Sequence, residues 1–507
     1  MNTSPKSAMT FVATLSVLFL SCEGVPMARA QDTVPGAAIA PPPSTVVKNK
    51  SPIELTTLEV KLPPARESTL PNGAQVFIIE DHRTPLVTIS VSVRAGSLFE
   101  TADKRGISEL VASSLTEGTK SYTADQISEL TDKYGASFGV GTSEERITVS
   151  LRCLAENMAE LVPILAEMVY EPVFPEDRVL RVRAREQASA TSRQTDPNIL
   201  AGDAIRAALY GSETPYGRPS VTSDQLGLIT VADLKMFHEK QFRPDTAIIG
   251  VAGDVNGKDM LGLLTTALGK RDTSAEPAPS LPPVTLVPQS EMGTSVSPAP
   301  VIINRPGSAQ SVLSFGVPGI KRDDPDYFAL LLANRILGGG FNSRLNQKLR
   351  EEKGYTYGAR SSFFAPKWIG TWGASASVRN AVTGDAARDF LSEFTKLQTT
   401  PPKEGELDLI KQSLIGNFAL TLESPEAVLA RSIERYEYNL PADYWSTYAS
   451  RVRNVAPDDI ARVARKYLGV AGNPDSASKP RVWAVAVGEK AAIEEDVIKA
   501  FAIPPTP

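Results

Sequence analysis

The sequence predicts an α+β protein built from two homologous domains, each a mostly antiparallel sheet packed with helices. Three observations carry that prediction. Two blocks of similar length, 55–272 and 301–507, flank a proline-rich stretch. Landmark residues recur between the blocks at nearly constant offsets. Strands and amphipathic helices alternate irregularly, with hairpin-like strand pairs and no nucleotide-binding glycine fingerprint, which disfavours a doubly wound sheet.

In chain order, residues 1–30 read as a signal peptide. Lys6 precedes the apolar run Ala8 to Leu20, and Ala28-Arg29-Ala30 supplies a small-x-small cleavage site. That run is short for a membrane span, and no other stretch approaches the necessary length. Cys22 follows Leu20-Ser21, but Phe19 fits a lipoprotein signal poorly, so the expectation is a soluble exported protein, placed in a periplasm. Removing the leader takes Lys6, Arg29 and Glu23 and moves the net charge from −5 to −6. Such a balance suggests neither a nucleic-acid partner nor an anionic membrane surface. Cys153 alone remains in the mature chain, so intrachain disulfides are excluded.

Residues 31–54, rich in Pro, Ala and Ser, read as an extended lead-in. Residues 273–300, with seven prolines, read as an interdomain linker. In the first block, Leu86-Val87-Thr88-Ile89-Ser90-Val91 alternates like a strand and leads to a helix from Gly106 to Leu115, then Gly118. In the second, Val312-Leu313-Ser314-Phe315 leads to a helix from Tyr327 that stops at Gly338. Asp103 to Asp323 and Gly118 to Gly338 share an offset of 220. Near the domain ends the offset is 226, where Ile229, Leu234, Phe237 and Phe242 correspond to Val455, Ile460, Val463 and Leu468. Each block then closes on a core strand, Ala247–Val251 or Val482–Ala486.

The stretch Gly338 to Tyr357 (GGGFNSRLNQKLREEKGYTY) reads locally as a helix stop followed by a short capped helix. Three glycines favour open or left-handed backbone. Asn342 or Ser343 is positioned to cap, Leu345 and Leu349 share one helical face, and Gly354 ends the helix. Tyr355-Thr356-Tyr357 has the character of a strand start. Arg350 and Tyr357 therefore stand near a helix-to-strand junction. No Lys-Ser/Thr follows the glycines, which excludes a phosphate loop.

Three first-block segments add to this: GISELVASSLTEGT (Gly106 to Thr119), YGASFGVGTSEERITVSLRC (Tyr134 to Cys153) and PEDRVLRVRAREQ (Pro175 to Gln187). Together they resemble the N-terminal half of the pitrilysin/insulinase (inverzincin) metallopeptidases, which include the mitochondrial processing peptidases. SRLNQKLREEKGYTYG (Ser343 to Gly358) resembles the signature of their C-terminal half. In active members the first helix carries H-x-x-E-H, with two zinc-binding histidines, a glutamate that activates water, and a third glutamate ligand from a later helix. Here the matching positions are Glu109, Ala112 and Ser113, with Glu186 at the third-ligand position. The chain holds two histidines, His82 and His238, and neither has a ligand-pair spacing. Both read as surface or helix-face residues. A Glu109–Glu186 oxygen site lacks a third ligand and makes a poor cage for a harder metal. The second block offers Ala329, Leu332 and Ala333 at the matching positions, all core types.

The resemblance implies that Arg350 holds a substrate carbonyl or neighbouring backbone and that the Tyr357 hydroxyl stabilises an oxyanion. It also implies a substrate strand at Ala136, Ser137, Phe138, Gly139, Val140, Gly141 and Thr142, beside which an unfolded peptide lies by β-augmentation. The expectation is thus the zinc-less subunit of a bacterial heterodimeric peptidase. It holds no cofactor of its own, and the zinc sits in a homologous partner subunit. Two alternatives stand beside it: a non-enzymatic peptide-binding or assembly subunit, and an active peptidase with an unusual metal site.

Overall fold

Leu86–Val93 alternates apolar and polar side chains, and the strand it forms buries every second one. The paired strand Ile147–Leu154 repeats that period-two pattern, whereas the other neighbour, Ile248–Gly253, is buried at every position because helices cover both of its faces. The computed structural model describes residues 62–273, 275–287, 299–469 and 482–502. The expected leader and lead-in lie outside them, as do residues 288–298 of the proline-rich stretch.

The first half supplies strands β1 (Arg66–Thr69), β2 (Gln75–Glu80), β3 (Leu86–Val93), β4 (Ser137–Thr142), β5 (Ile147–Leu154) and β6 (Ile248–Gly253). They form a six-stranded sheet in the order β1-β2-β6-β3-β5-β4, with β2 and β6 its one parallel pair. The second half supplies β7 (Val301–Asn304), β8 (Gln310–Pro318), β9 (Ala359–Phe364), β10 (Thr371–Arg379) and β11 (Trp483–Gly488). Their order is β7-β11-β8-β10-β9, and β7 with β11 is again the parallel pair. With β1 set aside, the two sheets have one topology. The 220- and 226-residue offsets therefore reflect a true structural duplication.

Helices of the first half are α1 (Ile107–Ser114), α2 (Ala124–Lys133), α3 (Met158–Tyr170), α4 (Glu176–Arg193), α5 (Pro197–Tyr210), α6 (Ser223–Gly227), α7 (Val231–Gln241) and α8 (Gly257–Leu268). Those of the second are α9 (Tyr327–Leu337), α10 (Arg344–Asn346), α11 (Thr383–Thr399), α12 (Glu406–Thr421), α13 (Pro425–Glu437), α14 (Tyr448–Arg453), α15 (Pro457–Tyr467) and α16 (Lys490–Ala502). Each half has its own core, with Ile89, Leu110, Leu165 and Phe242 in one and Phe315, Leu332, Trp372 and Phe390 in the other.

The halves also exchange helices. Ile205 and Leu209 of α5 pack with Val312 and Val485 on the second sheet. Val428 and Leu429 of α13 pack with Phe77 and Ile248 on the first. Glycine makes room at both crossings. A Cβ at Gly316 would lie 2.4 Å from Ile205, and one at Gly250 would lie 3.0 Å from Leu429. Burying each such aliphatic side chain contributes roughly 1.5–3 kcal/mol, so the exchange ties the halves together. Part of the predicted linker joins this contact: Tyr216 donates to the Pro282 carbonyl at 2.7 Å, and Leu281, Val284 and Leu286 pack against the same cluster. No helix among the described residues is long and apolar enough to cross a membrane.

Candidate functional site

The Arg350–Tyr357 segment hangs from a buried frame. Asn334 near the end of α9 accepts from Ser361 Oγ at 2.7 Å and from Trp372 Nε1 at 3.0 Å, pinning that helix to β9 and β10. Gly338 has an extended φ of −158°, and its carbonyl accepts from the Ser361 amide at 3.0 Å. A Cβ there would fall 2.3 Å from the Ser361 nitrogen. Close approach of β9, not left-handed freedom, is therefore why glycine stands at 338.

Leu345 and Leu349 are fully buried on one face, as their spacing predicts. Ser343 occupies the N-cap position of α10 but makes no side-chain capping bond. After Asn346 the helix widens into a π-type turn, Gln347–Glu352, that carries Arg350. Gly354 ends it in the left-handed region at φ +60°, with its amide on the Arg350 carbonyl at 3.1 Å and the Tyr355 amide on the Leu349 carbonyl at 2.9 Å. The expected strand start at Tyr355–Tyr357 is displaced: these residues form a loop, and β9 begins at Ala359. Asn346 sets where that loop closes. Its side chain donates to the Phe341 carbonyl at 2.7 Å and accepts from the Ala359 amide at 3.3 Å.

Tyr357 is 92% exposed, and its hydroxyl makes no hydrogen bond among the described residues. Arg350 lies 4.7 Å over the ring of Phe341, itself 63% exposed, and reaches Glu351 at 3.4 Å. A guanidinium, a phenol and an aromatic ring are thus presented to solvent on a rigid base.

On α1 and α4 lie the residues that the resemblance matched to the family's zinc ligands, and their chemistry differs. Ser113 Oγ donates to Glu186 Oε1 at 3.0 Å across 73 residues of chain, which brings the expected third-ligand position beside the motif helix. Arg185 lies 3.6 Å from the same carboxylate. Glu109 faces away from Glu186 in its bonding: it takes both arms of Arg193, at 2.8 and 3.0 Å. Ala112 is buried. A zinc ion does not fit this donor set. One carboxylate is neutralised by a bidentate guanidinium, the second is held by a hydroxyl and a neighbouring arginine, and the position of the general base is a methyl group. Among the described residues no group of three His, Cys, Asp or Glu side chains is placed to hold a metal ion.

Arg193 was not singled out by its sequence context, although the signal is there. It follows Glu186 by seven residues and Ala190 by three, which puts all three on one face of α4 toward α1. The two histidines are elsewhere. His82 lies between β2 and β3, 2.6 Å from Asp254. His238 on α7 is buried instead of surface-facing, with Nε2 donating to the Val169 carbonyl at 2.8 Å, and burial pushes its pKa down to about 4.

The expected substrate strand corresponds to β4, with Ala136 just before it. β4 is the edge of its sheet, paired with β5 alone. Its residues are half-buried to exposed; a Cβ at Gly141 would meet nothing within 4 Å, whereas the Ser150 side chain lies against Gly139 and donates to its carbonyl at 3.3 Å.

The chain is a duplicated α+β unit with one sheet topology in both halves, and its structural matches are two-domain peptidase-like folds. The chain belongs to the M16 peptidase family. Residues 75–219 match the family Insulinase (Peptidase family M16), residues 228–414 match the Peptidase M16 inactive domain, and the two together span well over half of the chain. It is 24% identical over 411 residues to an uncharacterized zinc protease of Streptomyces coelicolor, covering 80% of this chain and 87% of that one. It is 25% identical over 400 residues to the non-peptidase homolog YmxG of Helicobacter pylori, covering 77% and 88%. The crystal structure of a peptidase M16 inactive domain from Pseudomonas fluorescens matches with a TM-score of 0.72 at 26% identity, over 84% of this chain and 98% of that one. Within the family this chain is an inactive-type member, consistent with a non-catalytic homolog.

Proposed function

We propose that this chain is the metal-free subunit of a two-subunit peptidase and that it lends Arg350 and Tyr357 to the site of a homologous, zinc-bearing partner. One contrast carries the reading. The chain's own ligand positions are closed by the Glu109–Arg193 and Ser113–Glu186 pairs, whereas the Tyr357 phenol stands unengaged in solvent on an anchored loop. Arg350 is suited to hold a peptide carbonyl, and the phenol to donate to the oxyanion that forms as that carbonyl is attacked. The free edge of β4 suits an extended, unfolded peptide as an added strand. Export by residues 1–30 would put this subunit in the periplasm, where the partner would have to be exported as well.

The test is reconstitution. The mature chain and a homologous H-x-x-E-H subunit from the same genome are purified separately and mixed. Peptide hydrolysis is expected only in the mixture, with a one-to-one complex by light scattering. Hydrolysis by this chain alone, with stoichiometric zinc in it, sinks the proposal.

A second reading has its own support. A relative of similar length is named a non-peptidase homolog, which favours a peptide-binding or assembly subunit in which Arg350 and Tyr357 have no catalytic part. Complex formation with turnover indifferent to Tyr357 would establish it.

A further inference from the structure

A cavity of about 380 Å³ opens at the head of α1, between the end of β4 at Thr142 and Ser143 and the segment Pro215–Val221. It is separate in its chemistry from the Arg350–Tyr357 loop. Four arginines line it, and the acidic groups around them are already engaged. Glu100 accepts from the Gly106 and Ser108 amides at 2.9 and 3.0 Å at the N-terminus of α1, and burial raises its pKa. Glu109 is held by Arg193, while Arg206 is shared between Asp203 at 2.6 Å and Glu144 at 3.4 Å.

Arg105 and Arg218 remain. Arg105 donates to the Pro219 carbonyl, and Arg218 to the Glu100 carbonyl at 3.0 Å. Among the described residues neither has a carboxylate within ion-pair distance. Both line the cavity, and burial first and the charge of Arg218 second hold the Arg105 guanidinium below its usual range, partly offset by the more distant carboxylates of Glu100, Asp203 and Glu213. Two neighbouring cations bonded only to neutral carbonyls, in a partly enclosed cavity, are stabilised by one anion that accepts from both. The volume is at the small-ligand end of binding cavities and suits one residue of a peptide. A strand added along the edge of β4 runs toward Thr142, at the mouth of this cavity.

We propose that Arg105 and Arg218 form a carboxylate-binding subsite that receives an acidic side chain or the C-terminal carboxylate of an extended peptide. This rests on the peptide-handling reading above but not on catalysis, and it is tested by binding alone.

The probe is one fluorescent peptide in three forms: with a free C-terminus, with an amidated C-terminus, and amidated with an internal glutamate. Each is titrated by anisotropy against the full mature chain. The free-acid or the glutamate form is expected to bind about tenfold or more tightly than the amide, and which one does so identifies the source of the carboxylate. Arg105→Gln and Arg218→Gln should each reduce that form to the level of the amide, with Arg218→Lys between. Thermal melts identify any variant that fails to fold, and the lysine variant then carries the comparison. Equal binding of all three forms, no binding of any, or discrimination that survives both glutamine variants overturns the subsite. Failure of reconstituted hydrolysis with discrimination intact would refute the catalytic proposal and leave this one standing.

Discussion

Tyr357→Phe removes one oxygen from a side chain that is 92% exposed and whose hydroxyl makes no hydrogen bond among the described residues. Stability should therefore change by less than about 0.5 kcal/mol, and the thermal midpoint should hold within a degree or two. In the complex the same oxygen is proposed to donate to a developing oxyanion, an interaction made only in the transition state. Loss of such a donor costs about 2–4 kcal/mol, or roughly 30- to 1000-fold in kcat, with KM nearly unchanged. Arg350→Ala should differ in kind. It removes a group that holds the substrate, so KM rises as kcat falls, and it uncovers Phe341, a loss of about 0.5–1 kcal/mol in the free chain. The assay is steady-state cleavage of an internally quenched peptide by the reconstituted pair, alongside light scattering to show that the complex persists. An unchanged kcat for Tyr357→Phe in an intact complex refutes the reasoning. So would a large fall in the melting temperature, because it would mean that the phenol has a structural partner.

Other outcomes follow from the same structure. Replacing Glu109 and Ser113 by histidine and Arg193 by alanine should create a three-ligand site with Glu186; dialysed protein should then carry close to one zinc by elemental analysis, and zinc content near zero would mean that Glu186 is not aimed at the ligand position. Keeping Arg193 in that design should weaken binding at least about tenfold, since an unpaired guanidinium would face the ion. Gly338→Ala, whose Cβ meets the Ser361 backbone at 2.3 Å, should destabilise by about 1–3 kcal/mol in urea unfolding, whereas Gly340→Ala, with nothing within 4 Å, should stay within about 0.5 kcal/mol. Acid should expose His238. Its folded pKa of about 4 lies below the unfolded value of 6.5, so the unfolded chain takes up the proton first. Its contribution is fully present above about pH 6.5 and is lost as pH falls toward 4. The loss amounts to about 3 kcal/mol, and a His238→Asn chain should have the flatter pH profile of urea midpoints.

The pair Leu345 and Leu349 made the short helix legible in the sequence, because spacing alone puts them on one buried face. The β9 start was misjudged for the same local reason: Tyr355-Thr356-Tyr357 has strand propensity, but the Asn346 clamp delays pairing until Ala359. Glycine 338 was read through its own backbone freedom, when the deciding contact comes from a strand more than twenty residues away. His238 looked like a helix-face residue because its partner, the Val169 carbonyl, is 69 positions distant. At Tyr355, Gly338 and His238 the local reading was blind to the distant neighbour that decides the position.

What the sequence determined by itself is the duplication and the lack of any H-x-x-E-H motif, since its two histidines, His82 and His238, stand far apart. Recurrent offsets and missing residue types are properties of the chain that folding does not alter. Tertiary structure alone decided what fills the lost site, since Ser113 meets Glu186 and Arg193 meets Glu109 only when α4 packs on α1. It also decided that α5 and α13 cross between the halves, and that Tyr357 faces solvent while the residues that anchor it are buried. Those are consequences of packing, where the energy of a contact depends on residues that the sequence keeps far apart.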